Sequence, residues 1–176
     1  NKFTGALTIT TNDSSGFNSD ATIAAGDSDK LIFAASTIDG NLVVTSSFVP
    51  VDSDSSGTIS ETESIGISQT GALTVLGTSS FTTSADGADI NLDNTSNNLD
   101  GTVHVVTNDN SNADGVYAGN VTLAHSDAIE IGTVNSVTSS IKGNLKIDTS
   151  ADNATINDDG SIKVYGTTDL TATGSS

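Results

Sequence analysis

The chain contains two copies of one pattern, and this repetition constrains its fold more than any other feature. The similar pairs of segments are residues 3–13 and 99–109, residues 40–44 and 143–147, and residues 71–81 and 160–170. A long repeat of short, strand-like segments is typical of stacked, quasi-one-dimensional architectures. We therefore expect two tandem repeats of roughly 90–100 residues each. The first covers residues 1–96, and an incomplete second repeat covers residues 97–176.

The first copy carries an insertion. Matching positions are 103 residues apart at Leu42 and 89 residues apart at Leu73, so the first copy has 14 additional residues between these two positions. The extra residues coincide with an acidic segment at 49–63, which is rich in Asp, Ser and Glu. We interpret this segment as a loop inserted into the first repeat.

Apolar residues alternate along short runs of about five residues, and Gly, Asn, Asp or Ser separates the runs. This period of two is the pattern of strands with one face turned toward a core. The residues predicted to point inward include Leu42, Val44, Leu73, Val75, Leu145 and Ile147. We also expect Asn91, Asn94 and Asn97 to form side-chain ladders at the corners between strands.

Two all-β architectures fit such strands: a β-solenoid and tandem β-sandwich domains. Each sandwich would need a complete core of its own, yet aromatic residues make up only 4% of the chain and Trp is absent. The recurring Gly-x-Leu-x-Val unit within each copy instead indicates rungs of a coil. We therefore predict a right-handed parallel β-helix, with tandem β-sandwich domains as the alternative.

The composition excludes several functions. A net charge of −17, with five basic residues, argues against nucleic-acid binding and against anionic membranes. No apolar stretch of about 20 residues is present, so we expect no membrane span in this segment.

Catalysis in the groove of a β-helix needs carboxylates beside cationic or aromatic groups. The chain lacks Arg and Trp, and we predict that it is not an enzyme. His104 and His125 are expected on the surface, without a zinc site.

Residues 71–83 and 90–103, and likewise residues 120–134 and 143–147, resemble the repeats of filamentous-haemagglutinin-type surface proteins. The resemblance covers nearly the whole chain in both copies. It implies a parallel β-helix within a large secreted bacterial exoprotein, such as a cell-surface adhesin or an extracellular fibre. This family contributes no catalytic residues to carry over.

The inserted loop has the spacing of an EF-hand calcium loop. Read from Asp52 as position one, Gly57 stands at position six, where the loop needs a sharp turn, and Ile59 at position eight can anchor the loop to the rod. The flanks read as strand and turn rather than helix, so only the loop itself matches. The predicted calcium ligands are Asp52, Asp54, Ser56, Thr58, Ser60 and Glu63.

These observations favour a structural segment of an extracellular bacterial filament or adhesin stalk. We expect calcium to stabilise it and copies of itself to stack on it end to end. The alternative is a surface module that binds glycans or host receptors through its inserted loops. A groove lined by Tyr117 or Tyr165 would favour that module.

Overall fold

The computed structural model of the chain describes residues 1–12, 19–26, 29–109 and 118–173. These residues form three sheets and one helical turn, α1 (Glu61–Ser64). Strand labels follow chain order. The first sheet contains β2 (Leu31–Phe33), β5 (Ile65–Gln69), β8 (Asp89–Leu92), β11 (Val121–His125), β14 (Leu145–Thr149) and β17 (Thr168–Ala172). The second contains β1 (Ala21–Ala25), β4 (Leu42–Ser46), β7 (Ser79–Asp86), β10 (Val103–Asn108), β12 (Ile129–Gly132), β13 (Ser139–Ile141), β15 (Ile156–Asp159) and β16 (Ile162–Val164). The third contains β3 (Ser36–Ile38), β6 (Leu73–Val75) and β9 (Asn98–Leu99).

The strands of each sheet are parallel, and each strand pairs with its counterpart in the next turn of the coil. In the second sheet, for example, Ala21 pairs with Leu42, Leu42 with Ser79, and Ser79 with Val103. The chain therefore passes from sheet to sheet and returns one strand further along. This pattern confirms the parallel β-helix. It excludes the sandwich alternative, because β-sandwiches are built from antiparallel sheets.

The spacing between paired residues shows where the coil is longer. Ser79 pairs with Val103, 24 residues later, whereas Leu42 pairs with Ser79, 37 residues later. The longer turn of the coil contains the acidic segment at 49–63. The register of the strands and the sequence comparison of the two copies therefore locate the additional residues in the same segment, 49–63.

The core is a thin column of side chains between the sheets. All six residues predicted to point inward are buried, with exposed fractions between 0% and 3%: Leu42, Val44, Leu73, Val75, Leu145 and Ile147. Burying a side chain of this kind stabilises the folded state by about 1.5–3 kcal/mol. A column of such residues, repeated in every turn, is what the alternation in sequence predicts.

Stacked glycines mark the corners of the coil. Gly77 donates its backbone N–H to the carbonyl oxygen of Gly40, and Gly166 donates to that of Gly143, both at 3.0 Å. A Cβ atom added to Gly101 would lie 2.6 Å from the carbonyl oxygen of Gly77. Only glycine fits this close backbone approach, which explains why the Gly-x-Leu-x-Val unit recurs.

Asparagine side chains do link successive turns, and of the three predicted residues only Asn97 takes part. The Asn41 Oδ1 atom accepts a hydrogen bond from Thr78 N at 2.8 Å. Asn91 and Asn94 bond within their own turn of the coil. Asn97 is fully buried and ties neighbouring turns together through the N–H of Leu73 and the carbonyl of Ala124. At the glycine corners, the ladder uses the asparagine that directly follows the glycine. None of the three predicted asparagines follows a glycine.

The segments that look alike in sequence lie on different sheets. Gly40-Asn41 leads into β4 of the second sheet, whereas Gly143-Asn144 leads into β14 of the first sheet. Leu73 lies in the third sheet and its sequence counterpart Ile162 in the second. The sequence similarity therefore identifies a type of corner, and the coil uses this corner before more than one of its sheets.

The prediction that both histidines lie on the surface is wrong. His104 is 4% exposed and His125 is 1% exposed. His104 does lie on the outward row of β10, beside Ser80, whose Oγ atom is 2.9 Å from its Nδ1 atom. The backbone near Thr138 covers the His104 side chain, and this burial lowers the pKa of the imidazole. His125 instead accepts a hydrogen bond from the N–H of Leu99.

Candidate functional site

The inserted loop is organised around the carboxylate of Asp52. Its Oδ1 atom accepts a hydrogen bond from Ser56 N at 3.0 Å, and its Oδ2 atom accepts one from Gly57 N at 2.8 Å. The backbone adopts left-handed conformations at Ser55 (φ 58°) and Gly57 (φ 85°). Glycine at position six of the loop pattern therefore supplies the sharp turn that the sequence predicted.

Glu63 closes the other side of the loop. Its Oε1 atom accepts a hydrogen bond from Ser53 N at 2.7 Å, and its Oε2 atom accepts one from Ser60 N at 2.9 Å. The helical turn α1 begins after Ser60 and positions Glu63, a small helical element that the sequence did not predict. Hydrogen bonds from Ser53 and Ser60 lower the pKa of the Glu63 carboxyl to about 2.

The loop brings three carboxylates together. One oxygen each from Asp52, Asp54 and Glu63 lie within 4.8 Å of one another. Hydrogen bonds from Ser56 lower the pKa of Asp54, so this group stays ionised. The donor set consists of hard oxygen atoms, which fits calcium and does not fit softer metals.

The remaining predicted ligands lie in the same turn. The Ser56 hydroxyl donates to the carbonyl oxygen of Thr58 at 2.9 Å, and the Ser60 hydroxyl donates to Glu63 Oε2 at 2.8 Å. All six predicted positions therefore belong to one compact loop. Calcium binding by this loop stays a prediction.

A second polar feature runs along the corner that precedes the first sheet. We call it the corner groove. One cavity of about 260 Å³ lies beside α1 and is lined by Glu61, Asp89 and Lys146 among others. A neighbouring cavity of about 340 Å³ includes Lys142 and Tyr165. The two cavities share Asn120 and Asn144, which makes the groove continuous.

A hydrogen-bond ladder forms one side of the corner groove. Asn120 N donates to the carboxylate of Asp89, Asn144 N donates to Asn120 Oδ1 at 2.9 Å, and Thr167 N donates to Asn144 Oδ1 at 2.8 Å. Asp89 is only 8% exposed, and burial raises the pKa of its carboxyl. The hydroxyl group of Ser64, at the end of α1, donates a hydrogen bond to the same carboxylate. The insertion is thereby fastened to the coil.

The far end of the corner groove is cationic and aromatic. The Nζ atoms of Lys142 and Lys163 lie 4.2 Å and 4.7 Å from the centre of the Tyr165 ring. Hydrogen bonding to Lys163, together with the positive charge of both lysines, lowers the pKa of the Tyr165 hydroxyl. Tyr165 was one of the two tyrosines named for a groove. Tyr117, the other, lies outside the described residues.

Sequence reasoning missed the rest of the corner groove. Its residues come from different turns of the coil, 24 to 31 positions apart, as the steps from Asp89 to Asn120 and on to Asn144 show. The available signal was the set of Gly-Asn pairs at Gly119-Asn120 and Gly143-Asn144. Without the register of the strands, these pairs could not be placed side by side.

Stacked parallel turns, thin apolar core and glycine corners define the chain as a β-solenoid repeat protein. It belongs to the family described as Repeats of unknown function (DUF5649), which matches residues 51–106 and 118–176. These two matches have bounds different from the halves 1–96 and 97–176 inferred from internal similarity. No curated protein and no solved structure matches the chain. No helix within the described residues is long and apolar enough to span a membrane.

Proposed function

We propose that this chain is a calcium-stabilised structural segment of an extracellular bacterial filament or adhesin stalk. The observation that carries the proposal is repeat stacking on repeat. Strand β8 lies within the first family match and β11 within the second, and the two pair in register from Ile90 and Val121 onward. A repeat that already stacks on its own kind within one chain is suited to stacking on another copy.

An apolar surface is available for such stacking beyond β17. Leu170 is 52% exposed, and a cavity of about 330 Å³ opens between residues that include Ile156, Val164 and Leu170. A turn of the coil from a second copy would cover these side chains and pair with the outer edge of β17, which has no partner strand among the described residues. The partner that this proposal names is therefore a second copy of the same repeat.

Light scattering over a range of protein concentrations, followed by electron microscopy, tests the stacking. We expect end-to-end assemblies that Leu170→Lys weakens. Leu76→Lys is the matched control, because Leu76 is 50% exposed but lies along the rod in the turn after β6. A strictly monomeric chain at high concentration, with and without calcium, would contradict the proposal.

Calcium stabilisation rests on the three clustered carboxylates and the turn at Gly57. Without a cation their charges repel, and a bound Ca²⁺ ion would replace that repulsion with oxygen contacts of about 2.3–2.6 Å. Because the pattern lacks the two long flanking helices that organise an EF-hand, we expect an affinity in the extracellular range, on the order of 10⁻⁴–10⁻³ M.

Isothermal titration calorimetry with calcium tests the loop. We expect binding by the native chain and its loss in Glu63→Gln. Glu61→Gln is the control, since it removes the same charge from the same helical turn but lies outside the carboxylate cluster. Equal binding heats for the Glu63→Gln and native chains, or no binding at millimolar calcium, would reduce the loop to an acidic turn.

A second candidate function is glycan binding at the surface of the rod. The specific observation that favours it is the corner groove, which ends at the exposed ring of Tyr165 between two lysines.

A further inference from the structure

We propose that the corner groove binds a short saccharide that carries a single carboxylate. The acidic sugar would stack on Tyr165 between Lys142 and Lys163. Its neutral neighbour would lie toward Asn120 and the polar row of the first sheet. This inference deepens the second candidate function and requires neither the stalk nor the calcium loop.

The distribution of lysines points to an anionic group at this end of the corner groove. The chain has five lysines and 22 acidic residues, yet two of the five, Lys142 and Lys163, lie over the Tyr165 ring at the far end of the corner groove, and a third, Lys146, lines the cavity beside α1. Among the described residues the ion pair that forms is Lys2 with Asp29, at 3.6 Å. Lys142 and Lys163 instead converge on one tyrosine ring. Two ammonium groups over one ring create a positive potential that favours an anion beside them.

The Tyr165 ring is the part of the site that suits a sugar. It is 52% exposed, although it is a large side chain with an apolar face. A sugar ring can replace the lysine ammonium groups over such a face, while its hydroxyl groups stay in contact with water and with polar side chains. The lysines can then hold the carboxylate of that sugar by charge-assisted hydrogen bonds.

The floor of the corner groove offers polar side chains at regular intervals. Asn91 pairs with Thr122, and Thr122 pairs with Lys146, so their side chains lie in one outward row about 4.8 Å apart. Asn91, Thr122 and Lys146 all line the cavity beside α1, where their polar groups can bond the hydroxyl groups of a sugar.

The same corner is unsuited to an extended peptide. A peptide that adds to a protein by its main chain needs free backbone N–H groups. Here the amides of Asn120, Asn144 and Thr167 already donate within the ladder. The polar groups that face the corner groove are side-chain amides, hydroxyls and charges, which recognise a polyhydroxylated ligand.

The charges also select a ligand with one acid group rather than a polyanion. Glu61 and Asp89 line the end of the corner groove near α1 together with Lys146, whereas the described residues that line the other end include Lys142 and no carboxylate. A chain of acidic sugars would place carboxylates against Glu61 and Asp89 and against a protein of net charge −17. A neutral sugar at that end avoids the repulsion.

The test uses two disaccharides that differ by one carboxylate, cellobiouronic acid and cellobiose. Calorimetric titration of the native chain in the presence of a calcium chelator keeps the inserted loop out of the measurement. We expect the acidic disaccharide to bind at least about tenfold more tightly, because one charge-assisted contact contributes roughly that factor.

Two double variants locate the site. Lys142→Gln with Lys163→Gln removes two positive charges at Tyr165, and we expect it to abolish the preference for the acidic disaccharide. Lys2→Gln with Lys30→Gln removes the same charge elsewhere, where Lys30 also lies over an aromatic ring, that of Phe48. This control should retain the preference. Tyr165→Leu should weaken both disaccharides, because both lose the stacking surface.

Three results would overturn the inference: no binding of either disaccharide at millimolar concentration, equal binding of both by the native chain, or equal losses in the two double variants. None of these results bears on stacking of copies or on calcium. Failure at the corner groove is therefore distinguishable from failure of the stalk proposal.

Discussion

The stacked coil and the inserted loop are stabilised by different forces. In the coil, Leu42, Leu73 and Leu145 are buried, and glycines at the corners let successive turns approach closely. In the loop, the hydrogen bonds between Asp52, Ser56 and Glu63 and their neighbours are exposed to water. Burial of apolar area acts independently of pH and ions, whereas exposed carboxylates respond to both. The coil is therefore expected to be a constant scaffold and the loop a responsive attachment.

Replacing a core residue should have the largest effect. Leu145→Asp introduces a charge at a position that is 3% exposed and has no cationic partner in the core. We expect a loss of about 3–5 kcal/mol in the free energy of unfolding, measured by urea denaturation. The control is Val43→Asp, at an outward position that is 39% exposed, for which we expect a change below about 1 kcal/mol. Similar losses for the two variants would contradict the assignment of inward and outward faces.

A corner substitution should have an intermediate effect. In Gly143→Ala, the new Cβ atom would lie 2.7 Å from the carbonyl oxygen of Ala118 and 2.9 Å from that of Gly119, which belong to the preceding turn. Because backbone atoms cannot move aside cheaply, we expect a loss of about 1–3 kcal/mol in the free energy of unfolding.

Gly5→Ala is the matched control for the corner, since no atom lies within 4 Å of the Cβ position at Gly5. We expect the control to retain the native denaturation midpoint. If Gly143→Ala also retained that midpoint, close stacking of the corners would not limit the sequence, and the recurrence of glycine would need another cause.

The coil was accessible to sequence reasoning because its rules are local. Alternation at Leu73 and Val75 predicts their burial, and a glycine followed by asparagine predicts a corner. Which sheet follows a corner is not local. Gly40-Asn41 and Gly143-Asn144 form similar corners that lead into different sheets, because the hydrogen bonds of a corner do not specify its place around the coil.

The burial of His104 shows the same limit. Alternation correctly places its side chain on the outward face of β10, but a short hairpin that joins Val134 to Val137 folds over that region. The hairpin depends on left-handed backbone at Asn135 and Ser136, about thirty residues further along the chain. The corner groove escaped prediction for the same reason, since stacking assembles it from separate turns.

The candidate metal site, unlike the corner groove, could be predicted from the sequence, because all of its residues lie within one short segment of the chain. The spacing of Asp52, Asp54 and Glu63 predicts that their carboxylates converge, and in the structure they do so within 4.8 Å. What the spacing could not predict is the bond between Ser53 N and Glu63 Oε1. A cation that takes both oxygens of Glu63 would share Oε1 with this bond, since each carboxylate oxygen has two lone pairs.

The smallest effect concerns acid, and it separates the loop from the coil directly. The pKa of Glu63 is lowered from 4.5 to about 2, first by the hydroxyl of Ser53 and then by the amide and hydroxyl of Ser60. A lowered pKa means that the ionised group stabilises the closed loop. This contribution is fully present above pH 4.5 and is lost as the pH falls through about 2.

We expect the amide proton resonances of Ser53 and Ser60 to titrate near pH 2 in the presence of a calcium chelator, and we expect this titration to vanish in Glu63→Gln. The resonances of Val44 and Ile147, which lie in the core, should follow neither change. A midpoint near 4.5 for the Ser53 amide would mean that Glu63 does not close the loop, and the contrast between the two regions would lose its physical basis.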